Sequence, residues 1–381
     1  MTATRRCSGF LFMSSGTFRS LDLVATTPGR RMPTMKGNGA TLARPLRAVA
    51  ALALAAAVYG SPPFEREAEA AEAATGVYLL GIRGPLAGVT PPPGFYFEDD
   101  FYHYSGALGG GRVFQSGGVV AANVRQDTNI NLVTPLWVTP VEIFGGQLGF
   151  SVAIPFGEPT VSAATLLYSP RIDRVVGGRV SDSTFNAGDP FVSAFIGWHS
   201  GNFHWSLNLS GNIPAGAYEV GQLSNVALNR PAIDLTGALT YLDPVAGYEL
   251  SVTPGVTFNF ENPATRYISG NEFHVEWSAT KFLTKEFTLG FVGFHYQQFT
   301  DDSGPGNRIG PFRGRVTALG GMLGYDFKVG QTPVTTRVKV LRDVEVQNRF
   351  VGTTLFVSVA VPLWVAPPKA APEPRPLVAK N

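Results

Sequence analysis

Cysteine, long apolar runs and charge are all scarce in this chain of 381 residues, and each shortage excludes a class of structure. The single cysteine, Cys7, excludes a disulfide scaffold, because a bridge needs two thiols. The longest apolar run, residues 48–58, is too short for a membrane-spanning helix, which needs about 20 apolar residues. Charged residues make up 15% of the chain, well below the usual value of about 25%.

The run 48–58 follows Arg44 and Arg47, and this order of basic and then apolar residues is typical of a secretory leader. Met35 is an alternative start that would give this leader ordinary proportions. Since Cys7 lies upstream, the exported chain has no thiol, which excludes thiolate metal sites and a cysteine nucleophile.

Two small-x-small sequences, Ala68-Glu69-Ala70 and Ala71-Glu72-Ala73, follow the apolar run and offer cleavage sites. We expect cleavage after Ala73, with Ala70 as the alternative, so that residues 1–73 form the leader. What remains holds 21 basic and 23 acidic residues, a net charge of about −2 that suggests no nucleic-acid partner.

Alternating side chains dominate the rest of the chain, as residues 123–138 illustrate. Polar residues occupy one parity, namely Arg125, Asp127, Asn129 and Asn131. Apolar residues occupy the other, namely Ile130, Leu132, Leu136 and Val138. Because a strand sends successive side chains to opposite faces, this pattern predicts a sheet with one polar and one apolar side.

About twelve such segments recur. The predicted strands are 94–104, 123–139, 147–156, 190–199, 202–213, 230–242, 247–260, 270–283, 286–299, 312–327, 333–343 and 349–364. Short connections alternate with long ones, the long ones being 105–122, 157–189, 214–229, 261–269 and 300–311. The facing of the strand 286–299 stays open, because both of its parities carry aromatic residues.

These features predict an all-β fold, a transmembrane antiparallel β-barrel of about 12 strands over residues 94–365, of the bacterial outer-membrane type. Short periplasmic turns and longer outer loops explain the alternation of connections, which a soluble sandwich would not require. The expected location is the bacterial outer membrane, with lipid as a partner. The oligomeric state stays open.

Residues 74–93 precede the first strand, and they contain Val77, Tyr78, Leu79, Leu80 and Ile82, which are too apolar for a solvated tail. Prolines in this stretch oppose a lipid-facing strand. We expect the segment to fold inside the barrel as a plug, the alternative being an extension along the periplasmic turns. Residues 366–381 are rich in Pro and Ala and should be a disordered tail.

Charged and polar residues on the presumed inner faces are candidates for lining the lumen. They are Arg125, Asp127, Asn129, Asn131, Asp234, Glu249, Glu272, His274, Glu276, Arg313 and Arg315. They could form a constriction that orients solutes, or they could be ion-paired wall residues that fill a narrow barrel. Both readings stay open.

Catalytic and metal signatures are missing. Neither a Gly-x-Ser-x-Gly elbow nor a His-Glu-x-x-His helix motif occurs. We therefore expect that the protein is not an enzyme and binds no cofactor. Glu272, His274 and Glu276 form the most metal-like cluster, but strand spacing separates neighbours on one face by about 6.6–6.8 Å, too far apart for one small ion. We interpret the cluster as polar lumen wall.

Several short motifs recur in an order that resembles the outer-membrane proteins associated with the meta-pathway of phenol degradation. They are the residues 75–81, 91–96, 188–190, 212–218, 241–244, 247–249 and 262–274. The resemblance covers about residues 75–365, and it implies a transporter-like barrel linked to the uptake of aromatic or other hydrophobic compounds.

The expected function is therefore a passive outer-membrane channel for small hydrophobic or aromatic compounds, linked to their uptake for degradation. Phe114, Tyr168 and Phe185 lie in predicted outer loops and could contact solute through their rings. The alternative is a structural or surface-interaction barrel with a filled lumen.

Overall fold

Twelve antiparallel strands close into a barrel in the computed structural model, which describes residues 72–168 and 178–367. The strands are β1 (Gly94–Ser116), β2 (Val119–Ile143), β3 (Gly146–Tyr168), β4 (Phe191–Ser200), β5 (Phe203–Asn212), β6 (Ala232–Asp243), β7 (Tyr248–Asn259), β8 (Glu272–Phe282), β9 (Phe287–Gln298), β10 (Arg315–Val329), β11 (Thr332–Gln347) and β12 (Val351–Val365). The predicted fold class and strand number are confirmed.

Closure comes from the pairing of the first strand with the last. β1 pairs with β12 from Gly94 opposite Val365 to Ala107 opposite Val351, and every other strand pairs with its neighbours along the chain. A closed barrel leaves no unpaired sheet edge, which lipid could not solvate. Among the described residues no helix is long and apolar enough to cross a membrane.

The first three strands are longer than the sequence predicted. The predicted loop 105–122 is a hairpin, in which Gly117 and Gly118 have φ values of 57° and 76° and close a two-residue turn between Ser116 and Val119. Glycine supplies the two positive φ angles that such a turn needs. The run of glycines at 109–111 lies within β1, where the pairing register shifts, and it does not end the strand.

The upper half of β3 likewise occupies residues predicted as loop. Beyond Ala153, β3 no longer pairs with β4, and it pairs instead with the short strands Asn186–Ala187 and Val180–Ser183. Residues 169–177 of that predicted loop lie outside the described residues, as do most of the predicted leader and the tail beyond residue 367.

The outer surface carries an apolar belt. In β5 the outward Leu209 is 55% exposed, whereas the neighbouring Asn208 is 6% exposed. In β7 Val252 is 38% exposed and Ser251 is 6% exposed. Exposed apolar surface on this scale requires lipid, so the predicted parity of these two strands is confirmed and the barrel belongs in the outer membrane.

Aromatic side chains form a girdle around the barrel at the end that carries the short turns. Phe95 of β1 lies between Trp137 of β2 and Trp364 of β12, with ring centroids 5.7 and 6.1 Å away. Further pairs at this level include Trp198–Trp205, Phe203–Tyr241 and Phe287–Tyr325. Such girdles mark a membrane interface, and short turns mark the periplasmic side. The opposite end, with the longer loops, is extracellular.

Candidate functional site

Residues 72–93, which we call the lumenal segment, run through the barrel from its extracellular end to its periplasmic end before β1 begins. Of these residues only Pro92 is exposed. Polar groups from several strands hold the segment at three levels between the extracellular and the periplasmic end.

At the extracellular end the lumenal segment is enclosed by loops and by the hairpin that joins β1 to β2. Ala74 packs in an apolar cluster with Phe114 of β1 and Phe350, whose rings meet edge to face at 5.4 Å. The fully buried Arg230 donates from Nη2 to the carbonyl oxygen of Thr75 over 2.8 Å. This end of the segment is therefore fixed by both packing and a charged donor.

A second buried group at this end lies in the loop between β9 and β10. The Asp302 carboxylate accepts hydrogen bonds from the Tyr267 hydroxyl, the Gly270 N–H and the Gln298 amide, each over 2.7 Å. Burial raises the pKa of Asp302 to about 6 despite these donors. Burial also raises the pKa of the Tyr267 hydroxyl.

Midway down the lumen, Tyr78 stacks on His274 of β8, with ring centroids 3.9 Å apart and planes 19° from parallel. His274 donates from Nε2 to Asp234 of β6 over 2.8 Å. Asp234 also accepts from the hydroxyls of Thr257 and Thr236. Both partners of the His–Asp pair are buried, so the pair forms a fixed surface for the tyrosine ring.

At the same level Lys339 of β11 binds the backbone of the lumenal segment. Its Nζ donates to the carbonyl oxygens of Gly81 and Ile82 over 2.6 and 2.7 Å. The ammonium also lies 4.6 Å from the centre of the Phe356 ring. Three donors on one buried cation can satisfy these carbonyls, which would otherwise be unpaired away from water.

One side of the segment packs closely on the wall. Leu79, Leu80 and Ile82 contact an apolar inner cluster of β9 to β12 that comprises Val292, Phe294, Tyr296, Val316, Ala318, Met322, Leu341 and Phe356. This cluster explains why both parities of β9 carry aromatic residues. One set faces lipid, and the other faces the segment.

Nearer the periplasm the segment binds β6 and β7. The Leu86 N–H donates to Glu249 over 3.0 Å, and the Gly88 N–H donates to the Thr240 hydroxyl over 2.9 Å. Glu249 also accepts from Thr280 over 2.9 Å. A Cβ added at Gly88 would lie 2.7 Å from the carbonyl oxygen of His204, so only glycine fits at this approach.

The other side of the segment leaves a cavity of about 390 Å³ against β1 to β5. Its wall runs from Asp189 and Leu228 at the extracellular end to Pro91 and Leu136 near the periplasmic end. Apolar lining side chains include Ile82, Leu86, Ile130, Leu132, Phe191 and Phe195, and polar ones include Arg83, Glu98, Asp100, Ser193 and Asn208. The volume lies in the range of ordinary small-molecule sites.

Five of the predicted lumen-lining residues are buried on the inner face of β6 to β8. They are Asp234, Glu249, Glu272, His274 and Glu276. The residues predicted as a plug, Val77, Tyr78, Leu79, Leu80 and Ile82, lie in the lumenal segment and line the cavity or contact the wall. Among residues 72–168 and 178–367, no three acidic, histidine or cysteine side chains converge as metal ligands.

The predicted facing of β2 is wrong. Arg125, Asp127, Asn129 and Asn131 lie on the outer face, whereas Ile130, Leu132 and Leu136 line the cavity. The inner face is apolar here because it faces the apolar lumenal segment and not open water.

The polar residues on the outer face of β2 pair instead with β1. Ser105 donates to Asp127 over 2.5 Å, and Asn131 donates to Asp99 over 3.2 Å. Polar alternation alone cannot tell an outer face with such pairs from a wet lumen.

The prediction for Arg313 and Arg315 is also wrong. Arg313 lies in the loop before β10 and pairs with the exposed Asp301 over 2.7 Å. Arg315 points outward and pairs with Glu345 of β11 over 3.0 Å. Val316 and Ala318 occupy the inner face, since the parity that faces the apolar cluster is the even one.

The three aromatic candidates for solute contact have different surroundings. Phe114 is buried against Phe350, so it cannot meet solute at the mouth, and that prediction is wrong. Phe185 is exposed and meets Phe156 edge to face at 6.4 Å. Tyr168 ends β3, and its side chain lies outside the described residues.

Comparison with protein families gives a match to the family described as MetA-pathway of phenol degradation, over residues 110–359. The chain belongs to this family. The match spans more than half of the sequence, from the second half of β1 into β12. It confirms the resemblance carried by the short motifs.

Barrels similar to this one are found among solved structures. The barrel is similar to an outer membrane channel from Pseudomonas putida F1, with a TM-score of 0.56 and 14% identity over 72% of this chain and 96% of that one. A FadL homologue from Pseudomonas aeruginosa matches at a TM-score of 0.35 and 12% identity, over 79% of this chain and 98% of that one. No curated protein matches the sequence.

Two residues that shape the site of this family member, Lys339 and Asp189, were not predicted from the sequence. Lys339 lies between Val338 and Val340 in β11. Charged residues occur at both odd and even positions of this strand, so the sequence does not show that Lys339 faces inward. Asp189 accepts from the N–H groups of Leu228 and Asn229 over 2.9 and 2.8 Å and fixes the loop between β5 and β6. Its Gly188-Asp189-Pro190 motif was the available signal.

Proposed function

We propose that this protein is a passive outer-membrane channel for small hydrophobic or aromatic compounds. The observation that carries the proposal is the cavity of about 390 Å³ beside the lumenal segment, because it extends over most of the height of the lumen. An apolar wall with a few polar groups suits a small solute that has an apolar body and one polar substituent.

Membership of the family supports the same substrate class, since the family is named after phenol degradation. The similar protein from Pseudomonas putida F1 is named an outer membrane channel, which supports passage without an energy source. The proposal requires no cofactor, because movement down a gradient through a cavity involves no bond change.

A second candidate is a structural barrel with a filled lumen. The observation that favours it is the dense anchoring of the lumenal segment, which Lys339, His274 and Glu249 all contact. The two candidates differ in one property, namely whether solute crosses the purified barrel.

Solute flux separates the two candidates. We would reconstitute the protein into vesicles whose outer leaflet carries lipopolysaccharide and compare the entry of phenol, an alkane and a sugar. A channel of the proposed kind speeds the entry of phenol and not of the sugar. Equal entry of phenol with and without protein would favour the structural barrel.

A pair of neighbouring substitutions tests the route through the cavity. Ala153 of β3 lines the cavity, whereas Val152 faces lipid on the same strand. Ala153→Trp fills the path and should reduce phenol entry at least several-fold, while Val152→Trp should leave it near the original rate. Equal rates for the two variants would show that solute does not use this cavity.

A further inference from the structure

Glu72, near the start of the lumenal segment, is a buried carboxylate with partners from two extracellular loops. Its side chain accepts from the Asn262 amide over 3.0 Å and from the Tyr218 and Thr265 hydroxyls over 3.3 Å each. It is 3% exposed, and Arg230 attracts its charge. A built acceptor site of this kind indicates that Glu72 belongs to the folded protein.

Two residues that follow Glu72, Ala74 and Thr75, also contact the interior of the protein. Ala74 is 4% exposed within a cluster that includes Leu108, Val119 and Leu223. Thr75 accepts the hydrogen bond from Arg230 described above. The packed part of the segment therefore begins before Ala74.

The two candidate cleavage sites have different consequences for this arrangement. Cleavage after Ala73 removes Glu72, which leaves the Asn262 amide without this acceptor, and it places a new ammonium group on Ala74 among apolar side chains. Burying a charge in apolar surroundings is costly, and so is leaving buried donors unpaired. Cleavage after Ala70 keeps Glu72 with its partners and leaves Ala74 within the chain, without a terminal charge.

We propose that the leader is removed after Ala70, so that the mature chain begins at Ala71 and Glu72 anchors the lumenal segment at the extracellular end. The new terminal ammonium then lies one residue ahead of the anchor. This assignment replaces the expectation of cleavage after Ala73, and it does not depend on what the channel carries.

The intact mass of protein purified from the outer membrane tests the proposal directly. A mature chain that begins at Ala71 is expected, and it is heavier than one that begins at Ala74 by the residues Ala71–Ala73. A main species that begins at Ala74, or at any residue after Glu72, would overturn the proposal.

Two substitutions at the sites themselves give a second measurement that does not depend on folding of the barrel. Leader peptidase needs a small residue immediately before the cut. Ala73→Trp should leave the mature chain starting at Ala71, whereas Ala70→Trp should leave uncleaved precursor or move the start to Ala74. Precursor accumulation with Ala73→Trp, together with normal processing of Ala70→Trp, would contradict the assignment.

The anchor can be tested separately with a matched control. Glu72→Ala removes the acceptor and should increase cleavage of the segment by added protease, whereas Glu69→Ala changes only the leader and should have no effect on the mature protein. If Glu69→Ala alters the mass of the mature chain, cleavage does not occur after Ala70. If both variants behave alike toward protease, Glu72 does not anchor the segment.

Discussion

The ring of Tyr78 in the lumenal segment lies flat on the imidazole of His274, 3.9 Å from it, and His274 is itself bonded to Asp234. This contact joins the segment, which precedes the barrel in sequence, to β8 and β6 on the far side of the lumen. The segment is thus a part of the barrel interior, and the cavity lies beside it.

Removing the lysine that binds the segment should loosen it. Lys339→Met deletes the donor to Gly81 and Ile82 and the positive charge that interacts with Glu276, Asp100 and Glu98. Loss of one partner from a buried charge cluster costs about 3–5 kcal/mol. We expect a lower unfolding temperature and a higher single-channel conductance in planar bilayers.

The control for this variant is Lys281→Met. Lys281 is exposed and donates to the Ala246 carbonyl near a periplasmic turn, away from the lumenal segment. Its replacement should change neither property. If Lys281→Met raises conductance as much as Lys339→Met does, the lysine contacts do not hold the segment.

Two glycines of the segment should respond differently to one added methyl group. A Cβ at Gly88 would lie 2.7 Å from the His204 carbonyl oxygen and 2.9 Å from the Thr240 nitrogen. At Gly84 the nearest atom would be Lys339 Nζ, at an ordinary 3.6 Å. We expect Gly88→Ala to destabilise the folded barrel by about 1–3 kcal/mol and Gly84→Ala to be nearly neutral.

Heat-modified migration on gels measures this difference, since the folded barrel migrates anomalously until it is unfolded. A lower transition temperature for Gly88→Ala than for Gly84→Ala supports the close approach of the segment to β5 and β6. The reverse order would mean that the segment does not pass at this level.

The orientation of β5 gives a prediction about insertion. Leu209 faces lipid and Asn208 lines the cavity, although they are neighbours in sequence. Leu209→Arg should cost about 2–4 kcal/mol if the residue lies near the middle of the bilayer. Asn208→Arg should be milder, because the side chain at this position points into the polar-lined cavity and not into lipid. Folding yields in lipid that rank these variants in the opposite order would contradict the assigned facing.

Stability should depend on pH through Asp302. Its pKa rises from 3.8 to about 6 on folding, so the protonated form is favoured in the folded barrel. The contribution of protonated Asp302 to the free energy of unfolding is therefore fully present below about pH 4. It is lost as the pH rises through 6, a change of about 3 kcal/mol. The variant Asp302→Asn cannot ionise at this position. The free energy of unfolding of the wild type minus that of the variant should therefore fall by about 3 kcal/mol between pH 4 and pH 8.

Chemical denaturation at pH 4 and pH 8 measures the pH effect. The neighbouring Asp301→Asn serves as the control, since Asp301 is exposed and its pair with Arg313 is worth no more than about 1 kcal/mol. A difference for Asp302→Asn that stays constant from pH 4 to pH 8 would show that Asp302 is not held as described.

The sequence predicts strands such as β5 and β7 well because their two faces have uniform surroundings. In β5 and β7 the outward residues meet lipid and the inward ones meet polar groups, so alternation is clean. Asp234, Glu249 and His274 follow from that rule.

Prediction fails where the surroundings change. The inner face of β2 is apolar because the lumenal segment lies against it, and that contact joins residues far apart in sequence. The glycines at 109–111 look like a loop, but they sit in a strand whose pairing continues on both sides. Lys339 is a further case, since its partners are backbone carbonyls some 258 positions away, which no local pattern records.

The central claim, that the lumenal segment lies inside the barrel, is tested most directly by an engineered disulfide. A Cβ placed on Gly197 of β4 lies 2.9 Å from the Cβ of Thr90, so a shift of about 1 Å reaches the 3.8 Å typical of disulfides. The mature chain has no other cysteine. Gly211→Cys, on the outward parity of β5, paired with Thr90→Cys is the control. We predict that Thr90→Cys with Gly197→Cys forms an intrachain disulfide in the outer membrane while the control pair stays reduced. Failure of the first pair to cross-link in a correctly folded barrel, or equal cross-linking of both pairs, would contradict it.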